Sequence, residues 1–355
     1  MKQTLLSLLL LFLPITALAD DSGSCGENVT YTYEESTHTL TISGRGEMYS
    51  PNRSGAFGWD NYRREIKTII IKDGVTSIGQ MAFFDCSGLT SVSIGNGVAK
   101  IGQSTFQNCS GLEKITVKAG NETFDSRDNC NAIIETASNK LIVGCNNTVI
   151  PSSVTSIGVY AFKGSGLKSI TIPESVTDIE MYPFEGCINL ERIIVEEGNA
   201  VYDSRDNCNA IIGKRSNILI AGCKNSTIPD GVTGIWQEAF LEHTGLTSIY
   251  IPNSVVSIGQ QAFFNCSGLF FVAIGNSVTN IGNSAFAGCN NVRDVYCFAE
   301  SIPTTGVNAF RNTFSATLHV PAASLEAYRE TIPWSYFKNI VPLTDEELTG
   351  VERID

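Results

Sequence analysis

The chain reads as a β-rich α/β solenoid: short parallel strands forming one curved sheet, built from turns of 23 residues, with two hairpin insertions and a cap at each end. Two observations predict this. Apolar residues recur at fixed offsets along most of the 355 residues, and two of the turns are lengthened by the same ten residues. Self-similarity at a period of this size overrides length as a guide to domain number, because a stacked repeat has one continuous core whatever its length.

The repeat is visible in Ile71-Lys-Asp-Gly-Val75-Thr-Ser-Ile78-Gly-Gln-Met-Ala82-Phe83-Phe-Asp-Cys86-Ser-Gly-Leu89-Thr-Ser-Val92, which returns from Ile94 with Val98, Ile101, Phe106, Cys109, Leu112 and Ile115. The strand-end position of Ile71 is followed by Ile94, Val117, Ile150, Ile172, Val195, Ile228, Ile251, Ile274, Cys297 and Val320, in steps of 23, 23, 33, 22, 23, 33, 23, 23, 23 and 23. Each turn gives Leu-x-x-Ile-x-Ile, a strand with alternate side chains inward, then a Pro or Gly turn, Val-Thr-x-Ile-Gly and Ala-Phe-x-x-Cys. One such unit cannot bury its apolar side alone, but stacked copies can, at about 4.8 Å per strand.

A stacked column exposes core and strand edge at its ends, so the flanks should be caps. At the start, Val29 to Tyr33 and Leu40 to Ile42 alternate as strands, and Trp59, Tyr62 and Ile66 form an apolar face. At the other end, Leu325, Tyr328, Ile332, Trp334 and Phe337 suggest a helix-like cap. The division expected is therefore a leader at 1–19, an N-terminal β-rich cap at 20–66, the solenoid at 67–320 with hairpin-bearing turns at 118–149 and 196–227, a C-terminal cap at 321–343 and a tail at 344–355.

The leader is read from Lys2, the apolar run Leu5 to Leu13 and the small-residue site Ala17-Leu18-Ala19, the pattern of a secretory signal peptide. It places the mature protein outside the cell, secreted or on the surface. No later run is long enough for an integral membrane span. Losing Lys2 takes the net charge from −12 to −13, which argues against nucleic acid, whose phosphates need clustered cations.

The repeated skeleton resembles the BspA-like leucine-rich repeat of secreted and surface proteins of host-associated bacteria and some protozoa, over about residues 67–320. The resemblance implies a leucine-rich-repeat solenoid that mediates macromolecular binding, either adhesion or recognition of a host or cell-surface protein, and implies no catalytic residues. The sequence agrees in offering no nucleophile elbow, phosphate loop or zinc-protease motif, and no cofactor is expected. Asp125 with Asp128, and their copies Asp203 with Asp206, could pass for a carboxylate pair. Their recurrence in both long turns favours loop hydrogen bonds and ion pairs with Arg127 and Arg205.

Eleven cysteines divide by position. Cys86, Cys109, Cys187, Cys266 and Cys289 share one repeat column and are expected as buried thiols, too spread along the axis for zinc. In the long turns, folding Ile133-Ile134 onto Leu141-Ile142 sets Cys130 opposite Cys145, and Cys208 opposite Cys223 likewise, so disulfides are expected at both. For ligand binding, the outward strand positions are small and polar in the N-terminal half, whereas Tyr250, Phe271, Tyr296 and His319 fall on consecutive turns. They suggest a patch with a slot over Ala273 that suits an extracellular or surface protein or, alternatively, a sugar ring of a glycan-handling system.

Overall fold

The computed structural model describes residues 21–50 and 57–350; the expected signal peptide lies outside them. About 12 turns stack in chain order, each passing through two strand positions. On the first face the strands are four residues long and pair in parallel without slippage, as in Thr68–Ile71 with Ser91–Ile94 and Ser91–Ile94 with Lys114–Val117. Their alternate residues, such as Ile69, Ile71, Val92 and Ile94, are buried. On the second face two-residue strands form a parallel ladder of their own, for example Gly234–Ile235, Ser257–Ile258, Asn280–Ile281 and Thr304–Thr305.

The Ala-Phe segment closes each turn and binds it to the next. The N–H groups of Phe83, Phe162, Phe240, Phe263 and Phe286 donate to the following turn at 2.7–3.1 Å, and the rings stack along the axis. Phe240 to Phe263 is 4.9 Å, Phe263 to Phe286 5.0 Å and Phe286 to Phe310 5.4 Å between centroids. The column cysteines are more than small apolar fillers: Cys109, Cys187, Cys266 and Cys289 each donate Sγ–H to the carbonyl of the Phe one turn back, at 2.9–3.1 Å. Thr313 does the same through its hydroxyl, to Phe286 at 2.9 Å.

Tryptophans end this aromatic column on both sides. Trp59 stacks on Phe83 and donates Nε1–H to Ala82 O, while Trp334 packs on Phe310 and donates to Pro303 O. The N-terminal cap is an antiparallel meander of β1 (Asp21–Ser24), β2 (Val29–Glu34) and β3 (Thr39–Gly44), whose last strand pairs in parallel with Thr68–Ile71. The C-terminal cap holds the helix α1 (Leu325–Glu330) and the strand Asn339–Pro342, which extends the first face beside Thr317–Val320. That strand was not read from the sequence. Tyr328, Trp334 and Phe337 are buried as expected, but Ile332 faces solvent.

The long turns replace the Ala-Phe segment with an antiparallel hairpin. In the first, Phe124–Asp125, Ala132–Glu135 and Lys140–Gly144 pair in order, and the last then joins Ser156–Ile157 of the second-face ladder. On the first face no regular strand is available there; the Ser126 hydroxyl accepts from Val117 N–H, as Ser204 does from Val195 N–H, both at 2.9 Å. The first-face strands are consequently bonded as three segments, broken at the two hairpins, rather than as one continuous sheet.

The Phe column is interrupted at the same places, between Phe106 and Phe162 and between Phe184 and Phe240. Glycine lets the next ring close in on the hairpin: a Cβ on Gly144 or Gly222 would lie 2.0 or 2.1 Å from the ring of Phe162 or Phe240. Each hairpin is held to the preceding turn by one asparagine. Fully buried Asn199 donates Nδ2–H to Pro173 O and Val176 O and accepts from Val201 N–H and Tyr202 N–H at 2.8–2.9 Å. Asn121 repeats the set. Replacing Asn199 with Ala leaves several buried backbone groups unpaired, and the expected loss is about 3 kcal/mol in chemical denaturation; a loss under about 1 kcal/mol would show that water takes over its bonds.

Candidate functional site

The outward aromatic residues sit on strands whose register is fixed by parallel pairing: Tyr250 beside Ala273 beside Tyr296 beside His319, with Phe271 beside Asp294 two positions earlier. The rings come together. Tyr296 lies 5.1 Å from Phe271 and stacks on His319 at 4.2 Å. Ala273 has no exposed surface, so the slot expected over it is closed by its neighbours, and the patch is a half-buried ring cluster rather than an open groove. Tyr250 stands at its edge.

Charged groups that the sequence reading did not assign to the patch complete it. His319 Nε2 is 3.2 Å from Asp294 Oδ1. Its Nδ1 is 3.3 Å from Glu347 Oε1 in the short helix α2 (Asp345–Gly350), a contact off the line of a good hydrogen bond. Burial pushes the Tyr296 phenol up to about 12, with Glu347 and Asp294 adding to it. Burial alone would raise Glu347 too, but bonds from the Thr344 N–H and hydroxyl, with His319 and Tyr296 nearby, outweigh it and hold the carboxyl below its usual range. Asp294 follows from the repeat register; Glu347 arrives from the tail, which no repeat position encodes.

The cysteine expectation for the hairpins is not met: all eleven cysteines are free and buried. A bulge is the reason. Ile134 pairs with Leu141 as the sequence suggested, but Ile133 pairs with Val143, and Ile211 and Ile212 show the same slip against Ala221 and Leu219. The slip carries Asn131 rather than Cys130 opposite Cys145, whose Sγ–H donates to Asn131 O at 3.1 Å; Cys223 donates to Asn209 O at 3.3 Å. Cys130 packs into the middle stretch of core and Cys145 into the N-terminal one, while Cys208 and Cys223 divide between the C-terminal and middle stretches.

Asp125 and Asp203 of the long turns are held in ion pairs within their own loops. Asp125 accepts from Arg127 and Asp203 from Arg205, at 2.6 and 2.8 Å, and each arginine reaches on to Asn139 or Asn217. Among the described residues no cluster of three or more His, Cys, Asp or Glu is placed to hold a metal ion. Nor, among them, is any helix long and apolar enough to cross a membrane.

The model of the BspA type leucine rich repeat region, in six copies, matches residues 55–143, 133–208 and 212–342. The chain belongs to this family. Two solved neighbours in fold are a leucine-rich repeat protein from Eubacterium ventriosum, 21% identical with a TM-score of 0.55 over 91% of this chain and 93% of that one, and a leucine rich cell surface protein from Faecalibacterium prausnitzii, 24% identical with a TM-score of 0.51 over 94% and 98%. No curated protein matches the chain. In this BspA-type column the Phe rungs, the Cys–carbonyl bonds and the two hairpins are therefore parts of a repeat scaffold, on which the aromatic patch is an addition.

Two outcomes follow from this geometry. A thiol reagent should find none of the eleven cysteines readily reactive in the native protein and all eleven after denaturation, since burial pushes Cys86 and Cys289 up to about 12 and Cys130 and Cys208 up to about 11; a count of seven on denaturation without reductant would restore both disulfides. Glu347 has a lowered pKa, so its contribution is present above the unfolded value and is lost as pH falls through the folded one. Glu347→Gln at neutral pH should therefore imitate acid and raise the footprinting reactivity of Tyr296, and unchanged reactivity would show that α2 does not cover the patch.

Proposed function

We propose that the protein is exported and acts without catalysis, as a binding module that attaches to an extracellular or surface protein through its first face, in adhesion or cell-surface recognition. The observation that carries this reading is the cluster of Phe271, Tyr296 and His319, edged by Tyr250, on strands held in register. Large half-buried rings anchored by a rigid sheet lose little entropy on binding and are typical centres of protein interfaces. Asp294 and Glu347 beside them supply acceptors for basic or hydroxyl groups at the rim.

Membership of the BspA-type family, the leader-like start and the surface location in the name of the Faecalibacterium relative support an extracellular setting. A protein partner is favoured over a glycan because Ala273 is covered. A sugar held between parallel rings needs an open floor. The mature chain, used to capture partners from host matrix and bacterial surface extracts, should retain proteins and leave glycan arrays blank. A Tyr250→Ala, Phe271→Ser, Tyr296→Ala variant with unchanged circular dichroism should lose at least about tenfold in affinity for the captured protein, corresponding to one or more interface hot spots. Full affinity in that variant would move the binding face elsewhere.

A further inference from the structure

The second face carries a row of loops, one Ala-Phe segment per turn, and the hairpin turns leave two gaps in it. A cleft opens at each gap. The two clefts occupy corresponding places, one about 430 Å3 and the other about 350 Å3, at the lower end of the range typical for small-molecule sites. Their surfaces differ. Both clefts share an isoleucine of the hairpin, Ile142 in the first and Ile220 in the second, but Lys100, Gln103, Gln107 and Lys163 also line the first, whereas Met181, Trp236 and Ile218 line the second. Gln103 of the first cleft is replaced by Met181 in the second, and Trp236 of the second stands where the first hairpin turn has Gly158, which does not line the first cleft; Met181 and Trp236 are 51% and 47% exposed. Two such side chains on facing loops have no role in the core.

The ionisable carboxylates of the second cleft are three glutamates, beside the hydroxyl and amide groups of Tyr182, Ser216 and Gln237. Glu180, Glu185 and Glu238 line it; Glu180 pairs with Lys140 and Glu185 with Lys163, and among the described residues no lysine or arginine forms an ion pair with Glu238. Burial, with Glu185 close by, raises the Glu238 carboxyl, while a bond from Tyr182 and the charge of Lys163, itself bound to Glu185, act to lower it. His243 also lines the cleft, 2% exposed, and its Nδ1 has no hydrogen-bond partner. The cause lies in the fold. His243 occupies the column in which Cys109, Cys187, Cys266, Cys289 and Thr313 donate to the Phe carbonyl one turn back, and the hairpin turn before it has no such Phe. At the corresponding place in the first cleft, Ser165 bonds with Cys187 Sγ instead. Burial holds the imidazole neutral, its pKa pushed down to about 4, so it offers no charge to repel a cation.

We propose that this second cleft is a binding site for a small organic cation, an ammonium on an aromatic or branched aliphatic body, whose apolar part lies between Met181 and Trp236 and whose N–H groups meet acceptors in Glu238 and His243. A ring there takes the volume of the missing Ala-Phe rung beside Phe184. The site is on the opposite face from the aromatic patch and is independent of the protein-binding reading.

The test uses 2-phenylethylammonium, with phenylacetate and 2-phenylethanol as anionic and neutral counterparts. Trp59 and Trp334 are fully buried, so a ligand-dependent change in tryptophan emission reports Trp236. The ammonium should quench saturably with a dissociation constant on the order of 0.1–1 mM, as fits a ligand this small, and phenylacetate should bind at least about tenfold more weakly, the opposite charge meeting the same carboxylates. Met181→Lys should abolish binding with an unchanged melting temperature. Trp236→Gly, which copies the first cleft and is followed by saturation-transfer NMR, should do the same. Glu238→Gln should weaken the ammonium and leave phenylethanol unaffected. The proposal is overturned if the anion binds as well as the cation, if no saturable binding is seen to about 20 mM, well beyond the range set by ligand size, or if both the Met181→Lys and Trp236→Gly proteins keep the wild-type affinity.

Discussion

Everything in this molecule depends on one turn completing its bonds and its core on the next. The Phe N–H that donates forward, the Cys Sγ–H that donates back to a Phe carbonyl and the ring stacked near 5 Å on its neighbour are all contacts between turns. A single turn has few interactions of its own, which is the defining energetic property of a solenoid. The end turns would therefore be the weakest, and the two tryptophans with their Nε1–H bonds replace the missing neighbour at each end. A substitution in the Phe column is felt by three turns at once.

The same dependence explains the hairpins. Removing an Ala-Phe segment deletes a ring, a forward donor and a backward acceptor, and most of these losses are met by other residues. Gly144 and Gly222 let the next ring move in, and their N–H groups donate to Ala161 O and Ala239 O; Ser126 and Ser204 take up first-face donors; Asn121 and Asn199 tie the insertion down. What these substitutes cannot fill is the space on the second face. The clefts are the residue of that exchange, and the unpaired nitrogen of His243 marks the bond for which no substitute was found.

Most of the fold was legible because periodic apolar positions at a fixed step leave no other way to bury them. The strand positions, the caps with Trp59 and Trp334, and the two matched insertions all follow from spacing. The cysteine pairing failed because a hairpin register depends on whether a bulge intervenes, and a one-residue slip at Ile133 is invisible in composition. The patch residues were legible from outward alternation, but the closing of the space over Ala273 was not, since it depends on ring rotamers. Glu347 and the cleft around Trp236 were missed for a common reason: both arise where the repeat stops applying, in the tail and in the missing loop.

Since turns are added in chain order and each pairs only with its neighbours, the first and last strands of the column lie at opposite ends. A tether at one end and a load at the other would pull along the axis. Parallel strands stacked across that axis then separate one row at a time, as a zipper does, rather than shearing together. Resistance to such a pull is set by the weakest single interface and does not grow with the number of turns. The Asn121 and Asn199 clamps tie each hairpin to the turn before it, whereas the first-face break lies between the hairpin and the turn after it, so on that face the far side is where such a column would part.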